Sequence, residues 1–109
     1  MNIYISGPIT GHSEAECEMK FNKAKKDIER RGHFAVSPWD ISKLLPSEFD
    51  YLGYLAIDLE IVKRCDAVYF IDGWKSSTGC RRERGWCYMF DRFIFDDISE
   101  VPNERAKVN

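Results

Sequence analysis

Two acids, Asp58 and Glu83, and two glycine-containing turns, residues 6–11 (SGPITG) and 72–79 (DGWKSSTG), carry the residue types and spacings in this sequence that could do chemistry. Glycine lets a ligand come close to the backbone. Ser76, Ser77 and Thr78 would place three hydroxyls where a helix begins, beside free N–H groups that favour an anion such as phosphate or carboxylate. Two carboxylates converging beside such a turn suit the cleavage of a glycosidic bond, one as nucleophile and one as acid. Each feature also has an ordinary explanation. One hydroxyl serves as a helix N-cap. Glu83, near the start of its helix among Arg81, Arg82 and Arg84, fits a solvated face that complements the helix dipole. Asp58, three residues after Leu55, fits the edge of an apolar stripe. Neither a GxxxxGK(S/T) nor a GxGxxG pattern accompanies the turns.

The elements that must position these groups follow from periodicity. Ile3, Tyr4 and Ile5 suit a buried strand that runs straight into the first turn. Cys17, Phe21, Ala24 and Ile28 recur at three- and four-residue steps and predict a helix over 14–31, which Gly32 ends. Phe34 to Val36 form a second short strand closed by Ser37-Pro38, and about fifteen residues of loop with Trp39 and Asp40 follow. Leu52, Leu55, Leu59 and Val62 keep helical spacing over 51–64. Residues 67–71 (AVYFI) are a continuous apolar run, the pattern of a strand covered on both faces of a parallel sheet. A helix over 80–90 and a last strand over 93–95 complete the series. Strands alternating with helices imply an α/β sandwich, and ligands of such open sheets bind at the carboxyl ends of the strands. Both turns leave strands at that end, so they are expected to line one crevice.

Length and composition set the frame. A chain of 109 residues supports one domain, expected over residues 1–98 with a polar tail over 99–109 that frays. Sixteen basic and eighteen acidic residues give a net charge of −2, which offers no basic field for a nucleic-acid polymer. The four cysteines form no CxxC pair and the two histidines lie at no ligand-like spacing, so no metal is expected. Cys80 and Cys87, seven apart, share a helix face either as core thiols or as a redox pair. There is no leader-like or membrane-spanning apolar run, which together with the cysteine pattern points to reduced thiols in the cytoplasm.

The segments Tyr4-Ile5-Ser6-Gly7-Pro8-Ile9-Thr10-Gly11, Asp58-Leu59 followed by Cys65-Asp66-Ala67, and Gly73-Trp74 with Ser77, Gly79 and Glu83 resemble the nucleoside 2-deoxyribosyltransferase-like superfamily. The resemblance spans roughly residues 1–95 and is strongest to its small, often phage-encoded members and to the 2′-deoxynucleoside 5′-phosphate N-hydrolases. It implies a single-domain Rossmann-like, flavodoxin-like three-layer sandwich with a mostly parallel sheet. It also implies Glu83 as the nucleophile at the sugar C1′, Asp58 as the acid that assists base departure, and Tyr4 as the residue that orients the carboxylates. Ser6, Gly7, Pro8, Ile9, Gly11, Trp74, Ser77 and Gly79 would border the substrate, a nucleoside or nucleotide, with no metal and no organic cofactor. The chain departs from the family pattern at Gly85-Trp86-Cys87 and at the Arg81-Arg82 pair, so the resemblance assigns no base. Trp39, Trp74 and Trp86 offer faces for a base or fill the core. Relatives complete their pockets between subunits, which with the 14% aromatic content implies a homo-oligomer, a dimer first. Two other functions stay open at this point: release of nicotinamide from a dinucleotide, and a catalytically silent nucleotide-binding module.

Overall fold

Strand β1 (Asn2–Ser6) occupies the interior of a four-stranded sheet in the computed structural model, which describes residues 1–104. The chain continues through α1 (Glu14–Arg30), β2 (Phe34–Val36), α2 (Pro38–Ser42), α3 (Tyr51–Arg64), β3 (Ala67–Phe70), α4 (Thr78–Phe90) and β4 (Phe93–Phe95). Single 3-10 turns lie at Trp74–Ser76 and Ile98–Glu100. The strand order is β2-β1-β3-β4 and every pairing is parallel, so the mostly parallel sheet read from the sequence is parallel throughout. Tyr4 stands opposite Val36 on one side and Val68 on the other, and Ser6 stands opposite Phe70.

Strand alternation sorts the core into two layers. Ile3 and Ile5 pack with Cys17, Phe21, Ala24 and Ile28 of α1, the four positions that the helical period selects. Tyr4 points to the other face, where Val62 and Cys65 close α3, Cys87 comes from α4, and Val68 and Phe70 come from β3. Phe21 is almost fully buried, and its truncation to alanine would cost about 3–5 kcal/mol through lost burial and the cavity left behind. Helix α1 starts at an N-cap in which Ser13 accepts from the Glu16 N–H at 3.1 Å, with Glu14 and Glu16 complementing the dipole.

Three segments differ from the sequence reading. The loop after β2 contains α2, whose five residues are too few to show a period; Pro38 begins it and Ser37 caps it. Helix α4 begins at Thr78, two residues earlier than expected, because Ser77 is its N-cap. The segment from Ser99 is packed at its start. A capping box between Asp97 and Glu100 orders the turn, Val101 is buried against the α1 layer, and Arg31 and His33 bond the carbonyls of Val101 and Pro102 at 3.0 and 2.5 Å. The remaining tail, residues 105–109, lies outside the described residues. No helix among the described residues is long and apolar enough to cross a membrane. All four cysteines are free and buried, in the packed layers or, for Cys80, at the edge of the site described next.

Candidate active site

The sheet order reverses between β1 and β3, and the crevice of an open α/β sheet forms at such a reversal. A cleft of about 440 Å³ opens there. The two turns meet at its mouth: a Cβ on Gly73 would stand 3.2 Å from Pro8 Cγ, and Gly73 adopts φ +91°, a conformation that favours glycine. Gly7 is closely packed, since a Cβ there would lie 2.6 Å from Ile71 Cδ1 and would push that side chain aside.

Helix periodicity builds the walls. On α3, Tyr51, Tyr54, Leu55 and Asp58 recur at i, i+3, i+4 and i+7 and line one side. On α4, Gly79, Arg82, Glu83 and Trp86 repeat the same spacing on the other. The floor comes from β1, where alternation turns Tyr4 and Ser6 to the same face. The Tyr4 hydroxyl donates to Oε2 of Glu83, and the Ser6 hydroxyl donates to Oε1 at 2.8 Å. Both oxygens of the carboxylate are therefore held, and Glu83 is only 8% exposed.

The electrostatics follow from this burial. Desolvation raises Glu83 to about 7; the hydrogen bonds from Tyr4 and Ser6 pull it down, the Asp58 charge pushes it up, and Arg82 pulls it down. Desolvation likewise raises Asp58 to about 6, opposed by hydrogen bonding to Tyr4. Tyr4 itself is pushed well above its ordinary value, first by burial and then by the two carboxylates, so it remains a neutral donor. Two nearby carboxyls that both titrate near neutrality can hold one proton between them.

The structure brings most of the sequence-selected residues together. Tyr4, Gly7, Pro8, Ile9, Asp58, Ser77, Gly79 and Glu83 line the cleft, and Ser6 reaches it through Glu83. Ser77 Oγ already accepts from the Cys80 N–H at 3.2 Å as the cap of α4. Gly11 lies outside the lining, at a turn with φ +83°. Trp74 lies outside it as well, 4.2 Å beneath the Arg84 guanidinium, which is itself held bidentately by Asp96 at 2.7 and 3.0 Å. Trp39 donates to Glu18 at 2.6 Å away from the cleft, whereas Trp86 faces it. The sequence reading missed Tyr51, Tyr54 and Leu55 as cleft residues; the signal was their shared helical face with Asp58. Among the described residues no group of three His, Cys, Asp or Glu side chains is placed to hold a metal ion.

An all-parallel sheet in the order 2-1-3-4, with α1 on one face, α3 and α4 on the other and a cleft at the reversal, defines a flavodoxin-like α/β domain. The same fold is found in a 2-deoxyribosyltransferase from Bacillus psychrosaccharolyticus at a TM-score of 0.68 and 21% identity, over 94% of this chain and 91% of that one. It is found in a 2-deoxyribosyltransferase from Leishmania mexicana at 0.67 and 15% identity, over 85% of this chain and 61% of that one. The Clostridium botulinum CMP N-glycosidase BcmB aligns at 0.61 and 13% identity, over 94% and 84%. The fold is thus the one that the nucleoside 2-deoxyribosyltransferase resemblance implies. No curated protein sequence matches the chain. Residues 1–90 match the family described as a domain of unknown function, DUF4406, and the chain belongs to that family.

Proposed function

We propose that this protein is an enzyme that cleaves, or transfers across, the N-glycosidic bond of a 2′-deoxynucleoside or its 5′-monophosphate. The observation that carries this reading is the buried Glu83 carboxylate, held by the Tyr4 and Ser6 hydroxyls on the wall of an open cleft with Asp58 nearby. The fold shared with 2-deoxyribosyltransferases and a CMP N-glycosidase supports it.

In this reading a Glu83 oxygen attacks C1′ and forms a glycosyl ester while the C1′–N bond breaks. The bond's electron pair leaves with the base, and Asp58 supplies a proton to it. Water or a second base then attacks C1′, the Glu83 carboxylate departs, and Asp58 recovers a proton from the acceptor. Tyr4 and Ser6 fix the carboxylate so that little reorganisation accompanies attack. The Ser6 to Gly11 turn and the start of α4 at Ser77 to Gly79 border the sugar and its 5′-phosphate, where free N–H groups favour the anion. The chemistry needs neither metal nor organic cofactor, because a nucleophilic carboxylate and an acid suffice.

The homodimer belongs to the same reading. Tyr51, 62% exposed, opens α3 at the cleft with the exposed Leu52 beside it, and a second copy covering this end of α3 would close the pocket. Light scattering at micromolar concentration tests it, and a monomer mass rejects the shared pocket.

The activity is tested by incubating the full chain with the four 2′-deoxynucleoside 5′-monophosphates, the four deoxynucleosides and NAD, and measuring free base by liquid chromatography. Base release from a deoxynucleotide or deoxynucleoside, lost in Glu83→Gln, supports the reading. A folded wild-type protein that frees no base from any of them rejects it in favour of a silent binding module, and release from NAD alone replaces the substrate.

A further inference from the structure

Arg82 is the unexplained residue of the cleft. It lines the α4 wall next to Glu83, half-buried, yet it makes no hydrogen bond or ion pair with any described residue. Two neighbouring arginines outside the cleft contrast with it: Arg84, two positions on, spends its fork on Asp96, and Arg92 bonds the carbonyls of Phe90 and Cys65. The contact that Arg82 does make is with an aromatic face, its guanidinium 5.7 Å from the centre of the Tyr51 ring across the cleft. A cation–π contact of this kind holds the guanidinium beside the ring while none of its N–H donors is bonded to a described residue.

Position decides what those donors meet. Tyr51 shares its helical face with Tyr54, Leu55 and Asp58, so Arg82 reaches to the wall that carries the proton donor to the base. The groups suited to a phosphate are the first turn and the start of α4; Arg82 lies one turn into α4, and its aromatic contact is with Tyr51 on the α3 wall. Aromatic and aliphatic side chains on the same wall suit a planar heterocycle rather than a hydrated anion. A planar fork of donors fits two adjacent acceptors. On the edge that carries N7, a 6-oxopurine shows N7 and O6, both acceptors; adenine shows an amino donor beside N7, thymine O4 alone and cytosine an amino donor.

We propose that Arg82, held beside the Tyr51 ring, selects the base by donating two N–H bonds to N7 and O6 of a 6-oxopurine. The inference rests on the N-glycosidic reading of the site. It makes guanine the favoured leaving group over adenine and makes Arg82 a specificity-determining residue.

The test compares kcat/KM for dGMP and dAMP, and for deoxyguanosine and deoxyadenosine, in the wild type, Arg82→Met and Arg82→Lys, with circular dichroism verifying the fold of each. The wild type should favour guanine over adenine by about tenfold or more, with or without the phosphate. Arg82→Met should bring the ratio near one, and Arg82→Lys, which offers a point charge instead of a fork, should fall between; should the Met variant not fold, the Lys variant decides alone. A ratio cancels any effect on Glu83 common to both substrates. An unchanged ratio overturns the inference while leaving the activity intact. A loss confined to the two monophosphates and equal for both bases overturns it too, by making Arg82 a phosphate contact. No base release from any substrate overturns the site reading and this inference with it.

Discussion

The Ser6 hydroxyl donates to Oε1 of Glu83 at 2.8 Å, tying the end of β1 to the second turn of α4 across 77 positions of sequence. With Tyr4 on the other oxygen, the carboxylate is fixed from the strand, not from its own helix. The rigid sheet thereby sets the direction from which Glu83 faces the cleft.

The pH dependence of turnover follows from the two carboxyls. Glu83 must be ionised to attack and Asp58 protonated to assist departure, and burial raises them to about 7 and about 6. We expect kcat/KM to be bell-shaped with its maximum between about 6 and about 7, the two limbs belonging to the pair. Asp58→Asn should remove the alkaline limb and lower kcat most for bases that leave poorly, leaving one acidic limb that belongs to Glu83 alone. A flat profile from pH 5 to 9 contradicts the assignment.

Stability should carry the opposite mark of the same burial. The folded-state value of Glu83 lies above its ordinary 4.5, so the folded protein retains a proton that the unfolded chain gives up. Its contribution is full below about 4.5 and is lost as pH rises through about 7, on the order of 3 kcal/mol. Asp58 adds a loss of the same sign between 3.8 and about 6. Urea denaturation at pH 5 and pH 8 should show wild-type stability falling, with a smaller fall in Glu83→Gln.

Tyr4→Phe removes the phenol that donates to Glu83. Oε2 of Glu83 loses its donor in a buried setting, which costs about 1–3 kcal/mol of stability. The acidic limb of kcat/KM should move to higher pH, because that hydrogen bond holds Glu83 down, and activity near pH 6 should fall about tenfold or more. Unchanged profiles would reduce Tyr4 to packing.

Ser77 has two separable roles. As the N-cap of α4 it accepts from the Cys80 N–H, so Ser77→Ala should cost about 1 kcal/mol in thermal or urea unfolding. Ser77→Asp keeps a capping oxygen but adds negative charge where the 5′-phosphate is proposed to sit. It should retain stability while raising KM for monophosphates and not for deoxynucleosides. Equal effects on both substrate types would place the phosphate elsewhere.

Much of the architecture was legible because its signals are periodic. The α1 stripe from Cys17 to Ile28 and the apolar run of β3 can be satisfied in one way each, and the alternation of strands and helices leaves the parallel sheet as the solution. The stripe on α3 was less readable. Leu52 and Leu55 keep the core period with Leu59 and Val62, yet Leu52 is 69% exposed and Leu55 faces the cleft, because the shared face that matters runs through Tyr51, Tyr54, Leu55 and Asp58. A helix beside a site has two inward directions, and periodicity alone does not separate them. Trp74 was placed at the substrate by the superfamily resemblance; its ring packs under Arg84, which Asp96, from beyond β4, orients. The docking of Val101 had no local signal, since a lone valine in a polar tail reveals its pocket only once α1 and β4 are assembled. The meeting of Tyr4 and Glu83 is likewise a product of topology, visible in sequence through the superfamily resemblance, and the Ser6 bond to Glu83 had no signal there.

The central claim, that Glu83 attacks the sugar, is tested most directly by mass spectrometry of the protein trapped with a slowly turning 2′-fluoro-2′-deoxynucleotide, whose electron-withdrawing fluorine disfavours the oxocarbenium-like transition state of the second step. The account predicts an added fluorodeoxyribose 5-phosphate on the peptide containing Glu83, absent from Glu83→Gln, which should still fold and bind the analogue. An adduct on a different residue, or a Glu83→Gln variant that frees base at the wild-type rate, would contradict it.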